Sequence, residues 1–67
     1  MFMSDALLLL TEREKQVIQL LSSGLTYQKI SDELSISHET VKMHLKNIYR
    51  KLQVENKIQA LQKVKML

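Results

Sequence analysis

Val41, Leu45, Ile48 and Leu52 recur at i, i+4, i+7 and i+11. At about 100° per residue they fall within about 60° of arc, one apolar stripe along a helix. The stripe predicts a helix over His38–Leu52, with Ser37 placed to cap its start. Opposite it lie Glu39, Lys42, Met43, Lys46, Arg50 and, at the edge, Asn47. Upstream, Thr11 and Glu14 have the spacing of a capping box and open a helix whose apolar face holds Val17, Ile18, Leu20 and Leu21. Gly24 ends it by supplying a left-handed residue. The preceding run Ala6–Leu10 is expected to pack on the same core. Thr26 caps a short helix over Tyr27–Leu34, with Ile30 and Leu34 inward and Asp32 and Glu33 outward. After the break at Gln53-Val54-Glu55, Asn56 followed by Gln59 predicts a last helix to about Met66. There Ala60, Leu61 and Val64 face the core, and Gln59, Gln62 and Met66 face away.

These elements make an all-α, compact four-helix domain in which the second and third helices form a helix-turn-helix. A chain of 67 residues holds one domain. Residues 1–9 read as an N-terminal extension or linker end, and 10–67 as the domain. With no proline and one glycine, a multi-stranded sheet is poorly served. The absence of cysteine excludes disulfides and Cys-ligated zinc. His38 and His44, six apart, stand about 240° around the helix and cannot share a metal ion. No cofactor, metal or small-molecule site is read in the domain, and the carboxylates Glu12, Glu14, Asp32 and Glu33 read as solvated surface groups rather than catalytic pairs. An enzyme is therefore excluded. No apolar run reaches the roughly 18 residues of a membrane span, and Met1–Ser4 carries no basic start of a signal peptide. The expected location is cytoplasmic.

Charge changes the picture by its placement. The chain carries ten Lys and Arg against seven Asp and Glu, net +3. Between Ser37 and Leu52 stand Lys42, Lys46, Arg50 and Lys51 against Glu39 alone; elsewhere six cations balance six anions. The whole excess sits on one helix, as a phosphate-binding surface requires. That helix follows another across a three-residue turn, Ser35-Ile36-Ser37, with Ser31 the small residue at the crossing and Ile30, Leu34, Ile36 and Val41 around it. One Phe and two Tyr are too few for a base-stacking platform, which disfavours single-stranded nucleic acid.

Leu10-Thr11-Glu12-Arg13-Glu14, Gly24-Leu25-Thr26, Lys29-Ile30-Ser31, Leu34-Ser35-Ile36-Ser37, Thr40-Val41-Lys42-Met43-His44-Leu45, Ile48-Tyr49-Arg50-Lys51-Leu52-Gln53-Val54 and Ala60 together resemble the LuxR/NarL-type (GerE-like) DNA-binding domain of bacterial transcription regulators. The resemblance runs from about Leu10 to Val64. It implies a third helix that reads the major groove and a fourth that mediates dimerisation on DNA, here through Ile58, Gln59, Gln62 and Met66. It also places Lys42, Met43 and Lys46 at base edges. The chain departs from the family pattern at Tyr27, Lys29 and Ser31, where Asn, Glu and Ala are favoured, and at Lys57, where Arg is usual.

Phosphate contacts are assigned to Thr26, Lys29, Ser37, Thr40, His44, Asn47, Arg50 and Lys51, since hydroxyls and amides at helix starts and cations along the flank suit an anion. For Thr26 and Ser37 plain capping is the competing reading; for Arg50 and Lys51 it is a solvated charge; for Tyr49, packing. The expected partners are double-stranded DNA, a second copy on DNA, and RNA polymerase, with no membrane and no small molecule. The rival function is a helical protein–protein module that uses the basic face or the last helix without DNA.

Overall fold

The computed structural model describes residues 8–65. Four helices are found there, α1 (Glu12–Ser22), α2 (Tyr27–Leu34), α3 (His38–Leu52) and α4 (Lys57–Lys65). No strand occurs among the described residues. Starts and stops follow local chemistry. Thr11 Oγ1 accepts from the Glu14 amide at 3.1 Å, and Glu14 Oε1 accepts from the Thr11 amide at 2.9 Å, completing the capping box. Thr26 and Ser37 cap α2 and α3 by accepting from the amides of Lys29 (3.2 Å) and Thr40 (3.0 Å). Asn56 accepts from the Gln59 amide at 2.9 Å, but Gln59 Oε1 reaches the amide of Glu55 rather than that of Asn56.

Three helices end in one motif. After α1, α2 and α3, the left-handed residues are Gly24 (φ 93°), Ser35 (φ 55°) and Gln53 (φ 59°). In each case the following amide, of Leu25, Ile36 or Val54, donates back to the carbonyl five residues earlier, at 3.2, 3.0 and 2.9 Å. Leu25, Ile36 and Val54 then fold onto the core as partly buried residues. The motif therefore turns the chain and contributes an apolar contact in the same stroke.

The core is formed by Leu10, Val17, Ile18, Leu21, Ile30, Val41, Leu45, Ile48, Leu52 and Ala60. The expected stripe of α3 is fully inside, and burying each such aliphatic side chain stabilises by about 1.5–3 kcal/mol. α3 packs against the other three helices, so it is the element around which the domain closes. Among the described residues of the Ala6–Leu10 run, Leu10 meets the expectation. Leu8 and Leu9 are exposed, because the chain enters α1 through the Thr11 cap and only the residue next to it meets the core. Ala6, Leu7 and the predicted helix end at Met66 lie outside the described residues.

Candidate nucleic-acid interface

The α2–α3 corner is held by small and apolar groups. Ser31 is 5% exposed, and its hydroxyl donates to the Gln28 carbonyl at 2.7 Å, which satisfies the one polar group at the crossing. Ile30 and Val41 are fully buried beside it, with Leu34 and Ile36 half-buried. Tyr27, at the start of α2, lays its ring against His38, at the start of α3, with centroids 5.8 Å apart and planes tilted by 50°. The departure from the family pattern at Tyr27 thus supplies an aromatic bridge between the two helices.

Around α3 the side chains sort into three stripes. Val41, Leu45, Ile48 and Leu52 are buried. Glu39, Lys42, Met43, Lys46 and Arg50, spaced i, i+3, i+4, i+7 and i+11, are exposed. Thr40, His44, Asn47 and Lys51 form a half-buried flank between them. Lys42, Met43 and Lys46 therefore stand together on the outward face, spread over about 6 Å of helix axis. Lys42 Nζ lies 3.8 Å from Glu39 Oε2, an exposed pair. Among the described residues Lys46 and Arg50 make no ion pair, and Arg50 donates to Asn47 Oδ1 at 3.2 Å.

The remaining candidates have distinct settings. Thr26 and Lys29 are exposed at the start of α2, with the Thr26 hydroxyl engaged in capping. Ser37 and Thr40 hydroxyls lie 2.8 Å apart at the start of α3. On α4, Ile58 is 68% exposed beside exposed Gln59 and Gln62, while Met66 lies outside the described residues. Tyr49 is half-buried, and its hydroxyl has no hydrogen-bond partner among the described residues. Burial, with the Tyr27 phenol nearby, pushes Tyr49 up to about 12.

One reading of the sequence is corrected. Glu14 is not a solvated carboxylate: it is 4% exposed, and Lys51 Nζ donates to its Oε1 at 2.8 Å. Burial alone would raise this carboxyl. The Lys51 hydrogen bond, the Thr11 amide and the charges of Lys51 and His44 outweigh it and hold Glu14 below the ordinary glutamate value. One oxygen thereby joins the domain's entry point to the last turn of α3. The capping spacing of Thr11 and Glu14 signalled half of this arrangement; nothing local signals a partner 37 positions away. Lys51, grouped with the phosphate contacts, is thus also the counter-ion of a buried acid.

Residues 8–64 match the model of the bacterial regulatory proteins of the luxR family. The chain belongs to the LuxR family. Like its other members it carries a helix-turn-helix DNA-binding domain of transcription regulators, which is not an enzyme class. Among similar proteins, the HTH-type transcriptional regulator MalT of Vibrio cholerae is 40% identical over 58 residues, covering 87% of this chain and 6% of MalT. The nitrate/nitrite response regulator protein NarP of Escherichia coli is 43% identical over 56 residues, 84% of this chain and 26% of NarP. Among solved structures, the response regulator StyR superposes with a TM-score of 0.90 at 37% identity, covering 97% of this chain and 33% of that one. The chain therefore spans a small part of the length of these LuxR-family relatives. Among the described residues no helix is long and apolar enough to cross a membrane.

Proposed function

We propose that this chain is the output domain of a bacterial transcription regulator. It binds double-stranded DNA sequence-specifically, with the N-terminal half of α3 in the major groove and two copies on one operator. One observation carries the reading: α3 buries Val41, Leu45, Ile48 and Leu52 while Lys42, Met43 and Lys46 stand exposed on its opposite face. A helix clamped in this way presents base-reading groups without local unfolding. Lys42 and Lys46 donate to guanine O6 and N7, and Met43 packs on a thymine methyl. Thr26, Lys29, Ser37, Thr40, His44, Asn47 and Arg50 meet phosphates along the approaches. Lys51 is assigned to the fold first, because Glu14 already accepts from its ammonium. Exposed Ile58, with Gln59 and Gln62, supports pairing of two copies through α4, with Met66 proposed at the same interface. Such a protein works in the cytoplasm, on the nucleoid when bound.

The test is selection from a random duplex library at fixed salt. Wild type should enrich two half-sites about one helical turn apart. Lys42→Ala combined with Lys46→Ala should abolish the enrichment with helical content unchanged. If that double variant still selects the wild-type motif, α3 is not the reader. Binding to a neutral protein partner that persists in high salt, with no motif enriched, would favour the protein-module reading instead.

A further inference from the structure

The exposed stripe of α3 contains one group that works against DNA. Glu39 stands in the first turn of α3, in register with Lys42, Met43 and Lys46 at i, i+3, i+4 and i+7, and it is exposed. These positions span about 10 Å of helix axis, the rise of roughly three base pairs. A side chain placed there cannot avoid the groove that Lys42 and Lys46 enter. Its carboxylate repels the phosphates of every sequence alike, and it also draws on Lys42, whose Nζ lies 3.8 Å away. Both effects weaken binding to any duplex unless a base offers Glu39 a donor. In the major groove cytosine N4 offers an amino group of the kind that carboxylates accept from.

We propose that Glu39 is a specificity-determining residue of this interface: it accepts from a cytosine amino group in the step beside the guanine read by Lys42, and it penalises every duplex lacking that cytosine. The proposal rests on the major-groove reading above. The paired acid and base then act together. On non-specific DNA Glu39 holds Lys42 back and repels the backbone. On the target, each finds its own partner, Glu39 the cytosine amino group and Lys42 the guanine acceptors. The acid costs affinity everywhere and returns it at one kind of step, which raises the ratio of specific to non-specific binding rather than affinity itself.

The experiment is duplex selection with the whole chain as wild type, Glu39→Gln and Glu39→Ala, followed by titration of each on the wild-type motif and on scrambled DNA at one salt concentration. Wild type should enrich a cytosine at one position of each half-site. Glu39→Gln should shift that position toward adenine, whose N6 and N7 suit an amide. Glu39→Ala should lose the preference there, bind scrambled DNA more tightly, and lower the specific-to-non-specific ratio about tenfold. The guanine preference assigned to Lys42 should survive in both variants. Identical motifs and ratios in all three proteins would overturn the role of Glu39 while leaving the groove reading intact. Wild type enriching no motif at all would overturn the groove reading, and the role of Glu39 with it. Glu39 is surface-exposed and does not cap α3, so circular dichroism and melting should be close to wild type, and a motif change cannot be ascribed to unfolding.

Discussion

Replacing Lys51 with methionine leaves a carboxylate buried without its counter-ion. The Glu14 side chain is 5% exposed and that of Lys51 27%, so the pair sits at the edge of the core rather than in its centre. Removing one partner of a fully buried pair costs about 3–5 kcal/mol, most of it the desolvation of the group left behind. Here the Thr11 amide still donates to Glu14 Oε1 at 2.9 Å, and water reaches the Lys51 side of the pair. Those two facts bring the expected loss to about 2–3 kcal/mol. For a domain of this size each kcal/mol moves Tm by about 4–8 °C, so Lys51→Met should melt about 10–20 °C below wild type. Methionine keeps most of the aliphatic stem, so little of that loss comes from packing.

The pH dependence gives a sharper check. Glu14 is held below its ordinary value in the folded protein, while unfolded glutamate titrates near pKa 4.3. The stability it contributes is therefore fully present above about pH 4.3 and disappears as pH falls through the lower folded value. Urea unfolding followed at 222 nm should show the gap between wild type and Lys51→Met at pH 7 and a much smaller gap at pH 3. Glu14→Gln should be less costly than Lys51→Met, because a neutral amide can still meet the Thr11 amide. The double variant should resemble Glu14→Gln alone, giving a coupling equal to the Lys51→Met loss, about 2–3 kcal/mol. A Lys51→Met loss below about 0.5 kcal/mol, or the same loss at both pH values, would refute the account of this pair.

Other outcomes follow from single features. Gln53→Gly should stabilise the domain by about 0.5–1 kcal/mol, because an exposed residue at φ 59° is relieved of left-handed strain; chemical denaturation measures it. Gly24→Ala should cost about 1 kcal/mol by the same argument, since a Cβ there meets no atom within 4 Å and only φ 93° opposes it. Arg50→Ala should reduce the slope of log affinity against log salt by about 0.9, as one phosphate contact is lost, whereas Lys51→Met, read at a temperature where it is folded, should change the slope less. Ile58→Glu should weaken cooperative binding to paired half-sites while leaving affinity for an isolated half-site within about threefold, which mobility-shift titration on both duplexes resolves.

Much of the architecture could be read from spacing, because each determinant was local. The buried stripe of α3, the capping hydroxyls of Thr11, Thr26 and Ser37, and Gly24 all act within one or two helical turns. The basic face was legible for the same reason, since it is the complement of the apolar stripe on a single helix. What stayed hidden depended on distance or on backbone torsion. Ser35 and Gln53 adopt left-handed φ without being glycine, so the Gly24 rule could not find them; the amides of Ile36 and Val54 donating backward give their role away only in three dimensions. Glu14 misled for a related reason. Its spacing from Thr11 fitted a surface cap, and only the approach of α3 turns that cap into a buried site.

The three stripes of α3 explain why a domain this small can hold the helix still. The stripe Val41–Leu45–Ile48–Leu52 fixes its depth, and on the flank Lys51, tied to Glu14 of α1, fixes its rotation. The third stripe is left free of structural duty, and it is the one that carries Lys42, Met43 and Lys46. A change at Lys42, Met43 or Lys46 should therefore alter what is read without altering whether the domain folds, whereas a change in the buried stripe or at Lys51 should act through stability first. That separation lets residues of the exposed stripe change without unfolding the domain. It also predicts where a binding defect will be rescued by lowering the temperature: at Lys51 and Ile48, but not at Lys42 or Lys46.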